Sequence, residues 1–324
     1  LHYPLRRQRQ MCIRDRFNPA LILFLLGIAV GLVFKVLFPD LLSKFLGYYL
    51  LFALGLKGGQ SLQNNGFTDE VISVLSLGTF FAILIPLISY LYLKNILNTD
   101  DAAALSGTYG SVSAVTYVTA LTYLSTSNQN FDDFMSAVLV VMEFPAIFMA
   151  LYFVTRKSAI NKNNIETIKT AFMEIPNIVL VSSLFIGYFL NLNSGLQTEL
   201  LTKTIFEYVL FVFLFVMGTR VARRIGELTG KSKNLIIFAL VTPIVGSLLA
   251  LFAALNFNLS VGNSTLLMVL TASASYIAVP AVVKDAIPNA NPAIYLGLSL
   301  GVTFPFNIIF GIPLYNELAK FFIS

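Results

Sequence analysis

The sequence has 324 residues, of which 57% are hydrophobic and only 11% charged, against roughly a quarter charged in a soluble globular domain. No soluble fold of this size hides so much apolar side chain, so the composition implies a polytopic membrane protein, all-α in class. The formal net charge of +5 then belongs to basic cytoplasmic loops and not to nucleic-acid binding.

The first sixteen residues, LHYPLRRQRQMCIRDR, are basic and unlike anything after them. They lack the apolar h-region of a signal peptide and are expected to be a non-native extension (1–16). They hold the single cysteine, Cys12, and the single histidine, His2. Disulfides, Cys or His metal sites and Ser-His or Cys-His nucleophiles are thereby excluded from the rest of the chain.

Apolar stretches of about 20 residues cross a bilayer. Ten are expected, at 18–38, 41–62, 70–94, 101–125, 131–155, 175–191, 202–222, 233–257, 262–287 and 291–321. The sixth is short, and the fourth and ninth are the least uniformly apolar. Residues 157–174 form a polar linker, expected in the cytoplasm, between a first unit (17–156) and a second (175–324). Outside the extension, thirteen Lys and Arg lie near loops that follow odd-numbered spans, and three (Lys57, Lys203, Lys320) lie on the other side. That bias puts the odd loops in the cytoplasm and both termini outside, in a plasma (inner) membrane.

The two units repeat each other. Gly27 falls over Gly187, Gly58 over Gly218, Glu143 over Thr303 and Pro145 over Pro305, each at an offset of 160 residues; Ser111 falls over Ser273 and Ser113 over Ser275 at 162. Each unit has an odd number of spans, so the second enters the membrane from the opposite side. The expected architecture is two inverted five-helix repeats, with helices broken in spans four and nine, at GTYGSVSAV and LTASASYIAVP. Gly107 and Gly110 are expected to let the first segment unwind, and Pro280 removes a backbone donor in the second.

Non-helical backbone at membrane depth is tolerated only where it is buried or lines a polar cavity. Helix N-termini at such breaks offer N–H groups to an anion. The C-terminal carbonyls, with Ser and Thr hydroxyls, suit sodium. None of the sixteen basic residues falls inside either break. Glu143 is the clearest acid deep within a span, where a charge costs about 2.5–3.5 kcal/mol on insertion scales. Its role is open between charge for sodium, a proton carrier and a hydrogen-bond partner of the serines. The serines themselves are open between ligand binding and packing across helices. Pro145 and Pro305 are read as kinks, Lys57 as a snorkelling side chain, and RVARRIGELTGKSK as a topology signal that could also dock a cytoplasmic partner.

On these residues the chain resembles the sodium-dependent bicarbonate transporter family over nearly all of its length after Phe17. The specific stretches are GTYGSVSAVTYVTALTYL, LGLKGGQSL and SASYIAVPAVVKDAIPNANPAIYLGLSLGVTFPFNIIFGIPLY. The resemblance implies sodium-coupled bicarbonate import by a homotrimer, with sodium as the coupling ion and a small PII-like regulator on the cytoplasmic face. It implies an anion held by Gly110, Ser111, Val112 and Ser113, with Ala272, Ser273, Ser275 and Phe304 opposite. Sodium would lie close by, among Ser113, Glu143, Ser275, Thr303 and Asn307. Cyanobacterial members carry aspartate where this chain has Glu143. The alternative is a sodium- or proton-coupled symporter of another small organic anion. A membrane-embedded enzyme is not expected, because the spans hold no nucleophile-base pair and one deep acid.

Overall fold

A computed structural model describes residues 19–36, 38–155, 173–189, 204–227 and 232–323. The expected extension (1–16) and linker (157–174) therefore fall outside the described residues, apart from Met173 and Glu174. The described chain is helical, without strands. Its helices are α1 (Pro19–Phe34), α2 (Asp40–Asn65), α3 (Asp69–Leu93), α4 (Thr99–Gly110), α5 (Ala114–Thr126) and α6 (Met135–Thr155). Then come α7 (Ile175–Phe189), α8 (Ile205–Glu227), α9 (Lys233–Asn256), α10 (Val261–Ala272), α11 (Ala278–Ala286) and α12 (Pro292–Ile323).

Six of these, α2, α3, α6, α8, α9 and α12, are long and apolar enough to cross a membrane as single helices. Ten spans are expected from hydropathy, and the difference has physical reasons. Spans four and nine are each divided into two helices of 9–13 residues, too short to cross alone. Spans one and six are 16 and 15 residues within the described chain. The outward face is apolar, with Phe45, Phe80, Leu87, Ile237 and Phe252 among its exposed side chains, as a lipid-facing surface requires.

The helices sort into two groups. In the first, α1 lies along α8, and α2 along α7. Glycine sets both contacts. A Cβ on Gly27 would stand 2.2 Å from the Phe215 carbonyl oxygen, and one on Gly218 2.3 Å from that of Phe24. In the other pair, a Cβ on Gly187 would stand 2.3 Å from the Leu56 oxygen, and one on Gly59 2.0 Å from that of Leu184. Without a hydrophobic drive between helices in lipid, such close backbone approach is what holds a pair together. In the second group, α3, α4 and α6 pack on one another, and α9 packs on α10, which packs on the end of α12.

α12 is not a regular α-helix. It widens to a π-helix at Ser299–Thr303 and again at Asn307–Gly311, with Phe304–Phe306 between. Pro305 thus sits between two wide turns, whereas its sequence equivalent Pro145 lies inside an unbroken α6. Widened turns inside helices recur at functional sites.

Candidate functional site: the crossing of two broken helices

α4 ends at Gly110 and α5 begins at Ala114. α10 ends at Ala272 and α11 begins at Ala278. The first residue of each gap has the same extended backbone, Ser111 at φ −91°, ψ 169° and Ser273 at φ −87°, ψ 166°. Gly107 and Gly110 do not themselves unwind: both lie in the last turns of α4 with ordinary φ. They permit close approach instead. A Cβ on Gly110 would stand 2.0 Å from Pro86 Cγ of α3, and one on Gly107 2.4 Å from Ala150 Cβ of α6. Pro280 is the third residue of α11, in the first turn, where a missing N–H breaks no helical bond.

The two gaps cross and bond to each other. Ser113 N–H donates to Ser273 Oγ at 2.9 Å, and Ser275 N–H donates to the Thr108 carbonyl at 2.9 Å. Ser273 Oγ in turn donates to the Leu270 carbonyl. Ser113 caps α5, its Oγ accepting from Thr116 N–H and from the Thr116 hydroxyl. Ser275 Oγ accepts from Val279 N–H near the start of α11. Three of the four serine hydroxyls are therefore engaged in building the crossing.

Ser111 is different. Its hydroxyl is buried with no hydrogen-bond partner, as are Glu143 Oε1 and the Tyr276 hydroxyl. Ser111 lies beside the Glu143 carboxyl, and Tyr276 beside Ser113. These two neighbouring pairs approach each other without a well-formed hydrogen bond; a buried polar group left so costs about 1–3 kcal/mol, which makes the crossing the candidate place for a polar solute. A small cleft, with about 30 Å³ of room, opens here between the gaps and α2, α6 and α7. Ser113, Glu143, Ser275, Tyr276 and Asn177 line it, and Val112 adds an apolar wall.

The other residues expected at the site are placed around it. Ala272 offers its carbonyl to Asn307 Nδ2 at 2.8 Å, and Asn307 Oδ1 accepts from the Tyr315 hydroxyl. The Thr303 hydroxyl donates to the Ala239 carbonyl and shares a 2.5 Å bond with Tyr109. Thr303 and Asn307 thus spend their side chains bracing α12 against its neighbours, away from the cleft lining. Phe304 packs edge-on against both Phe24 and Tyr276, which ties the site to α1. Ser113, Glu143 and Ser275 bring one carboxylate and two hydroxyls to the same cleft. That donor set suits a monovalent cation carried as cargo. Among the described residues no group of three His, Cys, Asp or Glu could hold a resident metal.

A second layer of residues is not among those singled out from the sequence. Asn98 and Ser260 cap α4 and α10, accepting from Asp101 N–H and Asn263 N–H. Asp101 Oδ1 also accepts from Asn291 N–H at 2.6 Å, where α12 begins. Asn263 Oδ1 accepts from Asp132 N–H at 2.9 Å, just before α6, and its amide donates to Asp132 and Glu70. α4 and α10 are therefore each clasped at the outer end to the start of another helix. The signal was available in Asn98-x-x-Asp101 and Ser260-x-x-Asn263, a capping spacing repeated at the offset of 162 residues that relates the serines.

An apolar helical bundle with a polar cleft where two broken helices cross fits a multi-pass membrane protein of the transporter class. The chain belongs to the Na+-dependent bicarbonate transporter superfamily, whose family model matches residues 19–320. That is a family of transporters and not of enzymes, and sodium is the coupling ion it implies. Comparison with curated proteins gave no match.

Proposed function

We propose that this chain is a sodium-coupled symporter that imports bicarbonate across the plasma membrane by alternating access. The observation that carries the reading is the trio of buried, unpartnered groups at the crossing: Ser111 Oγ, Glu143 Oε1 and the Tyr276 hydroxyl. Bicarbonate has both acceptor oxygens and a donor hydroxyl, so it answers hydroxyl donors and an acceptor together. Of the first-turn N–H groups of α5 and α11, those of Thr116 and Val279 are taken by Ser113 and Ser275; the ones nearest each helix start supply further donors without a buried cation. Sodium lies in this reading by Glu143, Ser113 and Ser275. Thr303 and Asn307 hold the neighbouring wall.

The architecture that supports alternating access is two inverted five-span repeats. Three features favour it: the offset of 160–162 residues in sequence, the matching α1–α8 and α2–α7 glycine contacts, and the matching clasps at Asp101 and Asn263. Such repeats carry their site at mid-membrane and expose it to each side in turn. The basic loops then face the cytoplasm, with both termini outside. A homotrimer and a cytoplasmic PII-like regulator complete the reading by family resemblance.

The test is uptake of labelled bicarbonate into proteoliposomes under an imposed sodium gradient, with potassium in its place as control. Uptake is expected only with sodium, and Glu143→Gln is expected to remove the sodium dependence. Uptake indifferent to sodium rejects the coupling. Efficient competition by small monocarboxylates, with none by bicarbonate, favours the organic-anion alternative.

A further inference from the structure

α3 and α9 run in opposite directions and touch at two places. At one, a Cβ on Gly246 would stand 3.6 Å from Ile85 Cδ1. At the other, the rings of Tyr92 and Phe238 stack with centroids 5.9 Å apart and planes 8° from parallel. Between these contacts the helices part around a slot of about 340 Å³. Ile88, Ile237 and Val241 line it and are exposed on the outer, apolar surface, so the slot opens toward lipid.

Ser89 lines the slot and is only 2% exposed, yet its hydroxyl makes no hydrogen bond. A serine or threonine inside a helix can bond back to a carbonyl one turn earlier. Ser76 and Thr79 of the same helix do so, to Ile72 and Leu75. Ser89 instead leaves a buried donor beside an apolar slot, and hydrocarbon alone cannot satisfy it. No charged side chain among the described residues lines the slot. The occupant it fits is therefore apolar and carries a neutral acceptor.

Size and depth narrow that occupant. Ile85 to Tyr92 spans about 10 Å at the helical rise, and a helix with its side chains is about 10–12 Å across. A helix of a second copy therefore does not enter between the two points of contact. Ser89 lies about 6 Å of helical rise before the end of α3 at Leu93. Tyr90 and Tyr92 mark that end as the membrane interface. Phospholipid ester carbonyls lie in that interfacial layer, with the acyl chains running inward from it.

We propose that the α3–α9 slot binds one acyl chain of a bilayer phospholipid, its ester carbonyl accepting from Ser89 Oγ. The slot separates the two helices on which the breaks lean, α3 through Pro86 at Gly110 and α9 through Gly246 at the Thr271 carbonyl. A bound chain fills the space between them. The proposal stands independently of what the crossing carries.

Native mass spectrometry of the purified protein tests it, with diester and diether phosphatidylcholine of equal chain length offered together. The ether lipid lacks only the carbonyls. The wild type is expected to retain the diester lipid in preference by a factor of roughly five, the worth of one neutral hydrogen bond. Ser89→Ala removes an unpaired hydroxyl, so it is expected to stay folded and to bring the preference close to unity. Thr242→Phe, which fills the slot from α9, is expected to weaken retention of both lipids several-fold. Ile83→Phe, at an exposed position of α3 outside the slot lining, is expected to change neither. Retention without ester preference in the wild type, or a preference that survives Ser89→Ala, overturns the proposal. Retention unchanged in Thr242→Phe puts the lipid elsewhere and overturns it equally. Displacement by an equimolar fatty acid would make this a site for a free single chain and overturn the phospholipid assignment.

Discussion

Four serines look alike in the sequence, and the structure separates them. Ser273 Oγ accepts from Ser113 N–H and donates to the Leu270 carbonyl, whereas the Ser111 hydroxyl makes no well-formed hydrogen bond and has only the Glu143 carboxyl beside it. Ser273→Ala is therefore expected to destabilise the crossing by about 1–3 kcal/mol, leaving a buried N–H unpaired. Ser111→Ala is expected to melt within about 1 kcal/mol of wild type, since it removes an unpaired group. In transport the ranking differs: Ser111→Ala should raise the apparent KM for bicarbonate roughly tenfold, the worth of one hydrogen bond to a charged ligand. Thermal unfolding in detergent and proteoliposome uptake, run on both variants, check the two halves of this contrast. Equal melting losses with unaltered uptake would make both serines packing residues.

At the scale of the element, a break is made by what holds its ends. The glycines read as unwinding residues are helical and admit Pro86 and Ala150, so composition located the break while assigning its cause to the wrong atoms. The hydroxyl-rich pattern at Ser111–Ser113 and Ser273–Ser275 was legible because it interrupts an apolar run and does so twice. The clasp residues Asp101 and Asn263 were not singled out: the sequence shows them only three places after the caps Asn98 and Ser260, and their partners Asn291 and Asp132 are 190 and 131 residues away. The wide turns of α12 were not legible, because Gly301, Pro305 and Gly311 are equally compatible with a kink. Asp101→Ala is expected to cost about 1–2 kcal/mol, the size of a lost cap, and more if Asn291 N–H stays buried. Asp101→Asn, which keeps an acceptor, should recover most of it. Hydrogen exchange of the α4 amides reads the loosening directly: faster exchange is expected in the alanine variant and near-native exchange in the asparagine variant.

At the scale of the whole molecule, hydropathy and charge spoke for different things. Hydropathy located the apolar stretches, but splitting and shortening leave, among the described residues, six helices long and apolar enough to cross singly. Charge bears on direction, which no contact in the fold reports. With Cys12 replaced by Ser, single cysteines at Lys44 and Lys94 are expected to react with an impermeant maleimide only after the membrane is opened. Cysteines at Asn65 and Gln129 are expected to react in intact cells. The reverse pattern would invert the orientation and leave the crossing unchanged.

The clasps have a mechanical corollary. α4 and α10 are each held at the outer end by Asp101 or Asn263 and at the inner end by the serine crossing. A segment pinned at both ends does not stretch or swing on its own. For the transport proposed above, the crossing is then expected to move together with this frame, with relative motion falling where Phe304 meets Phe24 of α1 and where the cleft meets α2 and α7.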